Sequence, residues 1–182
     1  MNFMKFKGKH SEVYVESGRA IKIFKPEFRY NFWKEVRYLT ILKKKNFVPK
    51  IFNFNPDELK IEMEFVDGTM IRDFVKEREF NEVIDVLKMC LDVCFYLDRM
   101  RIQKEEMKNP QKHIIIADRI VFVDFERAYE NPNPSNVTQF LEYIRKVTGL
   151  KSNVDLIRRY KKFYKIGDYN ILKANIFTSC KS

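Results

Sequence analysis

Glycine and proline are scarce, at five and six of 182 residues, which leaves no room for a low-complexity linker. No apolar run approaches the ~20 residues needed to span a bilayer. Met1 to Lys9 alternates apolar and basic residues without an apolar core, so no signal peptide is expected there. Three cysteines, an odd number with no export signal, point to a reducing cytoplasm rather than a disulfide framework. Cys90 and Cys94 sit four apart in a helical pattern and read as core cysteines. A metal role would need further ligands, and the two histidines, His10 and His113, lie far away in sequence.

What the chain has is apolar mass and positive charge. At 45% hydrophobic it can bury a core, and its length suits one domain or two small lobes. Thirty-five basic against 25 acidic residues give a net charge of +10. This favours anionic partners such as nucleotides, RNA or acidic proteins, and is equally compatible with a lysine-rich solvated surface.

The first third reads as strands around one helix. Met4–Lys7, Glu12–Glu16 and Arg19–Lys25 are strand-like, with Ser17-Gly18 as a tight turn. From Phe28 to Lys44, Phe32, Val36, Leu39 and Ile41/Leu42 recur at helical spacing. Lys50–Phe54 and Leu59–Phe65 are two more strands, and Asp67-Gly68 breaks the chain. Thr69 is a candidate cap for a short helix through Lys76, and Asn81 for a longer one with Val83, Ile84, Leu87, Leu91, Cys94, Phe95 and Leu97 on its buried side. Gln103–Lys112 reads as a loop. His113–Ala117 and Arg119–Val123 form a buried strand pair, and helical patterns over Val137–Val147 and Asn153–Lys165 close the chain. That order predicts a two-lobed α+β protein.

Five residues suggest chemistry. Gly8 and Ser11, in Gly8-Lys9-His10-Ser11, are small residues in a turn, where backbone N–H groups can approach phosphate oxygens; an ordinary turn reads the same way. Lys22, on a strand, offers a fixed positive charge for phosphates, and Glu35 on the following helix can hold that ammonium. Asp124 ends the apolar strand Val121-Phe122-Val123, an expensive place for a carboxylate unless a divalent cation or a turn engages it.

Taken together, Gly-Lys-His-Ser-Glu-Val-Tyr, Ala20-Ile21-Lys22, Glu35, Met63-Glu64-Phe65-Val66-Asp67-Gly68 and Asp124-Phe125-Glu126 resemble the protein-kinase signature set in its order. The resemblance is to small atypical, RIO-like kinases, and more narrowly to an archaeal group of predicted serine/threonine kinases with Glu-x-x-x-Pro-x-Lys-His-Ile before the metal aspartate. Here that run is Glu106 to Ile114. It covers roughly residues 3–130.

The resemblance implies a two-lobed kinase-like fold. Residues 1–66 would form an N-lobe with a five-stranded antiparallel sheet and one helix, and 67–182 a reduced, mainly helical C-lobe. It implies ATP and Mg²⁺ as cofactors and transfer of the γ-phosphate to a protein hydroxyl, the chain's own included, in the cytoplasm. Gly8 and Ser11 would cover the phosphates. Val13 and Ala20 would lie above the adenine and Ile115 below it. Met63 would be the gatekeeper, with Glu64 and Val66 offering backbone hydrogen bonds. Lys22, paired with Glu35, would contact the α/β-phosphates, and Asp124 would hold magnesium.

The chain departs from the kinase pattern in three places. Glu106-Met107-Lys108 stands where Asp-Leu-Lys is usual, which makes Glu106 the candidate base and Lys108, or Lys112, the group steadying the moving phosphoryl. His113 stands near the usual Asn, a metal-ligand position, although imidazole suits Mg²⁺ poorly and Asn109 is an alternative. Glu126 replaces the usual glycine. The second reading is therefore a nucleotide-binding pseudokinase acting as a regulatory module. A third is an RNA- or ribonucleoprotein-associated module, to which the basic and aromatic segment Arg158–Lys165 would contribute; that segment reads equally as a helix with Leu156, Tyr160, Phe163 and Tyr164 on the core.

Overall fold

A computed structural model describes residues 4–178. The head of the Met1–Lys9 segment and the third cysteine, Cys180, lie outside the described residues. The elements run β1 (Met4–Lys7), β2 (Ser11–Glu16), β3 (Arg19–Phe24), α1 (Arg29–Leu42), β4 (Ile51–Asn55), β5 (Lys60–Glu64), β6 (Thr69–Met70), α2 (Ile71–Glu77), α3 (Phe80–Arg99), β7 (Ile102–Gln103), β8 (Ile114–Ile116), β9 (Ile120–Phe122), β10 (Tyr129–Glu130), α4 (Asn136–Thr148), α5 (Val154–Phe163) and α6 (Ile166–Thr178). A single 3-10 turn, Pro26–Phe28, precedes α1. The class is α+β, with a five-stranded antiparallel sheet and six α-helices among the described residues.

The chain forms two compact units. One holds the described residues up to Thr69 together with His113–Ala128, and the other holds Met70–Lys112 and the residues from Tyr129 onward. The strand pair β8–β9 therefore belongs with the sheet, although the whole of Met70–Lys112 intervenes in the chain.

In the first unit the sheet order is β1-β2-β3-β5-β4, every pair antiparallel. Ser17 and Gly18 both take positive φ, 49° and 74°, the two-residue hairpin geometry that matches strand twist. Asn55 shapes the β4–β5 turn: its side-chain oxygen accepts from the N–H groups of Asp57 (2.9 Å) and Glu58 (3.3 Å). Helix α1 buries Phe32, Val36, Leu39 and Leu42 on one stripe, and the Phe32 ring packs edge-on against Phe24 of β3. Ile41, which its spacing offers with Leu42 as a core position, is exposed.

The hairpin β8–β9 is tied to this unit at both ends. Phe122 N–H donates to Phe47 O (2.8 Å), and Arg119 donates to Glu64 (2.6 Å) and to Asn46 O (2.8 Å). Gly68 lies so close to it that a Cβ would stand 2.5 Å from Ile116 O, which is why a residue without a side chain is needed there.

The second unit is helical. Asn81 does not cap α3, because the helix already starts at Phe80 with Glu79 at the cap position. Thr69 does not cap α2 either; Met70 holds that position without a side-chain hydrogen bond. Asn153 does cap α5, accepting from Asp155 and Leu156 N–H. That helix stops at Phe163 because Tyr164 turns left-handed (φ 52°), and a separate helix, α6, follows. Tyr160 and Tyr164 are buried as expected, whereas Phe163, placed on the core by its spacing, is exposed.

At the centre of this unit the Asp98 carboxylate, fully buried, accepts from Asn136 N–H (2.9 Å), Asn136 Nδ2 (2.8 Å), Val137 N–H (3.3 Å) and the Tyr160 hydroxyl (2.7 Å). It thereby satisfies the orphan donors at the start of α4. Burial pushes the Asp98 carboxyl up, and these hydrogen bonds only partly offset it. Cys90 and Cys94 are buried on α3, and burial drives both thiols up, which makes them inert core residues. Among the described residues, no helix is long and apolar enough to cross a membrane.

Candidate functional site

The first unit gathers an ammonium and three carboxylates. Lys22 is on β3, paired with Val13 of β2 and Ile61 of β5, so it points from the middle of the sheet. Its Nζ donates to Glu35 Oε2 at 2.7 Å and to Asp124 Oδ1 at 3.0 Å, and Glu126 Oε2 is also 3.0 Å away. Glu35 arrives from the inward stripe of α1, one turn after Phe32 fixes that face. Asp124 and Glu126 follow the end of β9, two residues apart, with the fully buried Phe125 between them as an anchor. Phe125 N–H donates to the second Glu35 oxygen at 3.3 Å. The pairing expected between Lys22 and Glu35 is present, and Lys22 and Asp124 meet across 102 residues of chain.

Burial differs sharply across the cluster. Lys22, Glu35 and Glu126 expose 7%, 2% and 6% of their surface, while the Asp124 side chain is 35% exposed and is the opening to solvent. For Lys22, burial works against the charge, but Glu35, Asp124 and Glu126 outweigh it and raise its pKa, so the ammonium stays charged. For Glu35, burial comes first and raises the carboxyl; Lys22 pulls it back, and the net direction is up. Asp124 adopts φ 64°, a left-handed conformation uncommon for a residue with a side chain. Outliers of this kind gather at functional sites, because the surrounding structure has to over-determine them.

Sequence reasoning missed two members. Glu126 stands out in the sequence only as the residue replacing a glycine. His10 reads only as part of a turn, yet its Nδ1 contacts Glu126 Oε1 and its ring lies 4.2 Å from that of Phe28. The available signal was a second carboxylate two residues after Asp124, which a sharp turn swings back to the same side; Ala128 N–H closes that turn on Phe125 O at 3.0 Å. His113 stands beside the cluster, with Nδ1 3.6 Å from Asp124 Oδ2.

Among the described residues, Glu35, Asp124 and Glu126 are a group whose ligand-type oxygens all lie within 4.8 Å of one another; His113 is outside it. An all-oxygen donor set suits a hard cation such as Mg²⁺, and the set has the right chemistry for one. Its centre is the Lys22 ammonium, the internal cation, so an ion held by all three carboxylates requires the ammonium to move aside.

The remaining expected residues are distributed as follows. Gly8 and Ser11 close the β1–β2 turn, Gly8 N–H donating to Ser11 O at 2.9 Å, and Lys25 N–H donates to His10 O at 3.0 Å. Ala20 and Met63 face each other across β3 and β5, both buried, and Val13 and Ile115 are half-buried. Glu64 N–H donates to Lys50 O (2.8 Å), so a backbone hydrogen bond between this residue and a ligand would need the ligand to donate to its carbonyl. Partial burial raises the Glu64 carboxyl, but Arg119 and the Lys50 N–H on its side chain together pull it down, and the net direction is down. Val66 is half-buried just before the turn at Gly68. Glu106, exposed and at φ 71°, and Lys108, exposed, belong to the second unit, as do Asn109 and Lys112; Lys146 donates to the Asn109 side chain at 2.9 Å.

No family model matches the chain, and no curated protein matches it.

Proposed function

We propose that the chain binds a magnesium–nucleoside triphosphate complex and acts as an atypical, kinase-like phosphotransferase on a protein hydroxyl. The observation that carries this reading is the convergence on one ammonium: a buried strand lysine, a helix glutamate and an aspartate that ends a buried strand. That trio supplies what phosphoryl transfer asks of a protein, a positioned positive charge for phosphate oxygens and oxygen ligands for the metal beside it. The order of the five strands, with the helix inserted between the third and fourth, supports the two-lobed kinase-like reading of the fold. Lys22 would contact the phosphates, Glu35 would fix Lys22, and Asp124, the most exposed of the carboxylates, would hold the metal. Glu106 and Lys108 are put forward for the transfer step by resemblance alone.

The test is binding before activity. Wild-type protein should melt at a higher temperature with ATP and Mg²⁺ than with either alone, and Lys22→Ala and Asp124→Asn should lose that shift. Labelled ATP then tests transfer. Label on the protein itself or on a lysate protein, lost in Glu106→Gln and Asp124→Asn, supports phosphotransferase activity. A melting shift without any label supports the second reading, a nucleotide-binding regulatory module, for which the substitution of Glu126 for the usual glycine is the favouring observation. Absence of any shift in the wild type would defeat both.

A further inference from the structure

We propose that Glu126 is the residue that makes nucleotide binding conditional on a divalent cation: held by His10, it occupies the Lys22 ammonium as an internal stand-in for a phosphate. This rests on the nucleotide reading above and says how that same site is governed.

A lysine ammonium has three N–H donors and no more. In this protein three carboxylate oxygens lie within 3.0 Å of Nζ, from Glu35, Asp124 and Glu126. Glu35 and Asp124 take two of these donors and Glu126 stands over the third as an ion pair, so a phosphate oxygen reaching Nζ has to displace one of the carboxylates. Glu35 is the least able to leave. It is the most buried, sits on a helix whose whole inward stripe is core, and its other oxygen holds Phe125 N–H. Glu126 is different: Glu35 and Asp124 accept the ammonium's hydrogen bonds, whereas Glu126 meets it as an ion pair with one of its two oxygens. One is on Lys22 and the other on His10, in the turn between β1 and β2, while Asn31 of α1 donates to its backbone carbonyl at 3.2 Å. Its hold on Nζ is the weakest of the three, and His10 is what keeps it in place.

Charge points the same way. A bare triphosphate approaching Lys22 meets three carboxylates around a single ammonium, and like charges brought together repel. A divalent cation at Asp124 and Glu126 would offset that repulsion and relieve Lys22 of two acceptors. A glycine at position 126 would leave two carboxylates there instead of three, so this side chain sets how strongly binding depends on the metal.

Isothermal titration calorimetry with ATP, in EDTA and in excess Mg²⁺, gives the ratio of the two dissociation constants for each variant. In Glu126→Gln, which keeps the shape and removes the charge, that ratio is expected to fall about tenfold or more, chiefly through tighter binding in EDTA. His10→Ala, which removes the outer anchor, should move the ratio in the same direction by less, and it carries the test if thermal unfolding finds Glu126→Gln unfolded. If nucleotide binds and the ratio stays at the wild-type value in the folded variants, the role of Glu126 is overturned while the nucleotide reading stands. If neither wild type nor variants bind ATP under any metal condition, the nucleotide reading falls and this inference with it.

Discussion

Lys22 Nζ lies 2.7 Å from Glu35 Oε2, a nearly dry ion pair that joins the middle of the sheet to the helix packed on it. Such a pair is costly to break from one side, because the partner is left charged without compensation. Lys22→Met should lower unfolding stability by about 3–5 kcal/mol, measured by urea titration. A loss under about 1 kcal/mol would mean the carboxylates take up protons and absorb the change.

Asp124 is the partly exposed member of the acidic group, so it should control metal access. Wild-type protein is expected to melt at a higher temperature in Mg²⁺ or Mn²⁺, to return to its baseline with EDTA, and to show no response as Asp124→Asn. A full metal response in that variant would place the ion elsewhere.

Gly68 is bounded by backbone: a methyl group added to its Cα would stand 2.5 Å from Ile116 O. Backbone cannot step aside as a side-chain tip can. Gly68→Ala should therefore cost about 1–3 kcal/mol and loosen the β8–β9 hairpin that leads to Asp124. Hydrogen exchange at Val121 and Phe122 reads the second effect directly.

Tyr143 is buried on α4, and its hydroxyl finds no hydrogen-bond partner among the described residues. Tyr143→Phe should leave stability unchanged or raise it by about 1 kcal/mol. Burial pushes the phenol up to about 12, against an ordinary value of 10. Between those values the native state keeps a proton that the unfolded chain releases, so wild-type stability should fall as pH rises through that window. The Phe variant lacks this contribution, and parallel denaturation curves at about pH 10 and about pH 11.5, near the foot and the top of the window, compare the two.

Much of the first unit was legible because local rules and tertiary packing agree there. The strand spacings, Ser17-Gly18 and the helical stripe through Phe32, Val36 and Leu39 each carry their own signal, and Glu35 falls on that stripe. Asp124 was legible as an expensive carboxylate at the end of an apolar strand, and Lys22 as a strand lysine that Glu35 on the following helix can pair with. Glu126 and His10 were not, because their meeting depends on a turn and on chain segments 116 residues apart, neither of which leaves a periodic trace. Helix α6 was missed for another reason. The break before it is a left-handed Tyr164, not a glycine or proline, so no usual punctuation marks where one helix stops and the next begins.

The return of His113–Ala128 to the first unit sets the order in which this protein can be finished on the ribosome. The sheet can pair as soon as β5 emerges, but the partners that neutralise Lys22 from the far side are translated 102 and more residues after it. Until Asp124 and Glu126 leave the exit tunnel, the lysine has only Glu35 for company. Completion of the first unit is thus a late, long-range closure of the kind that slows folding.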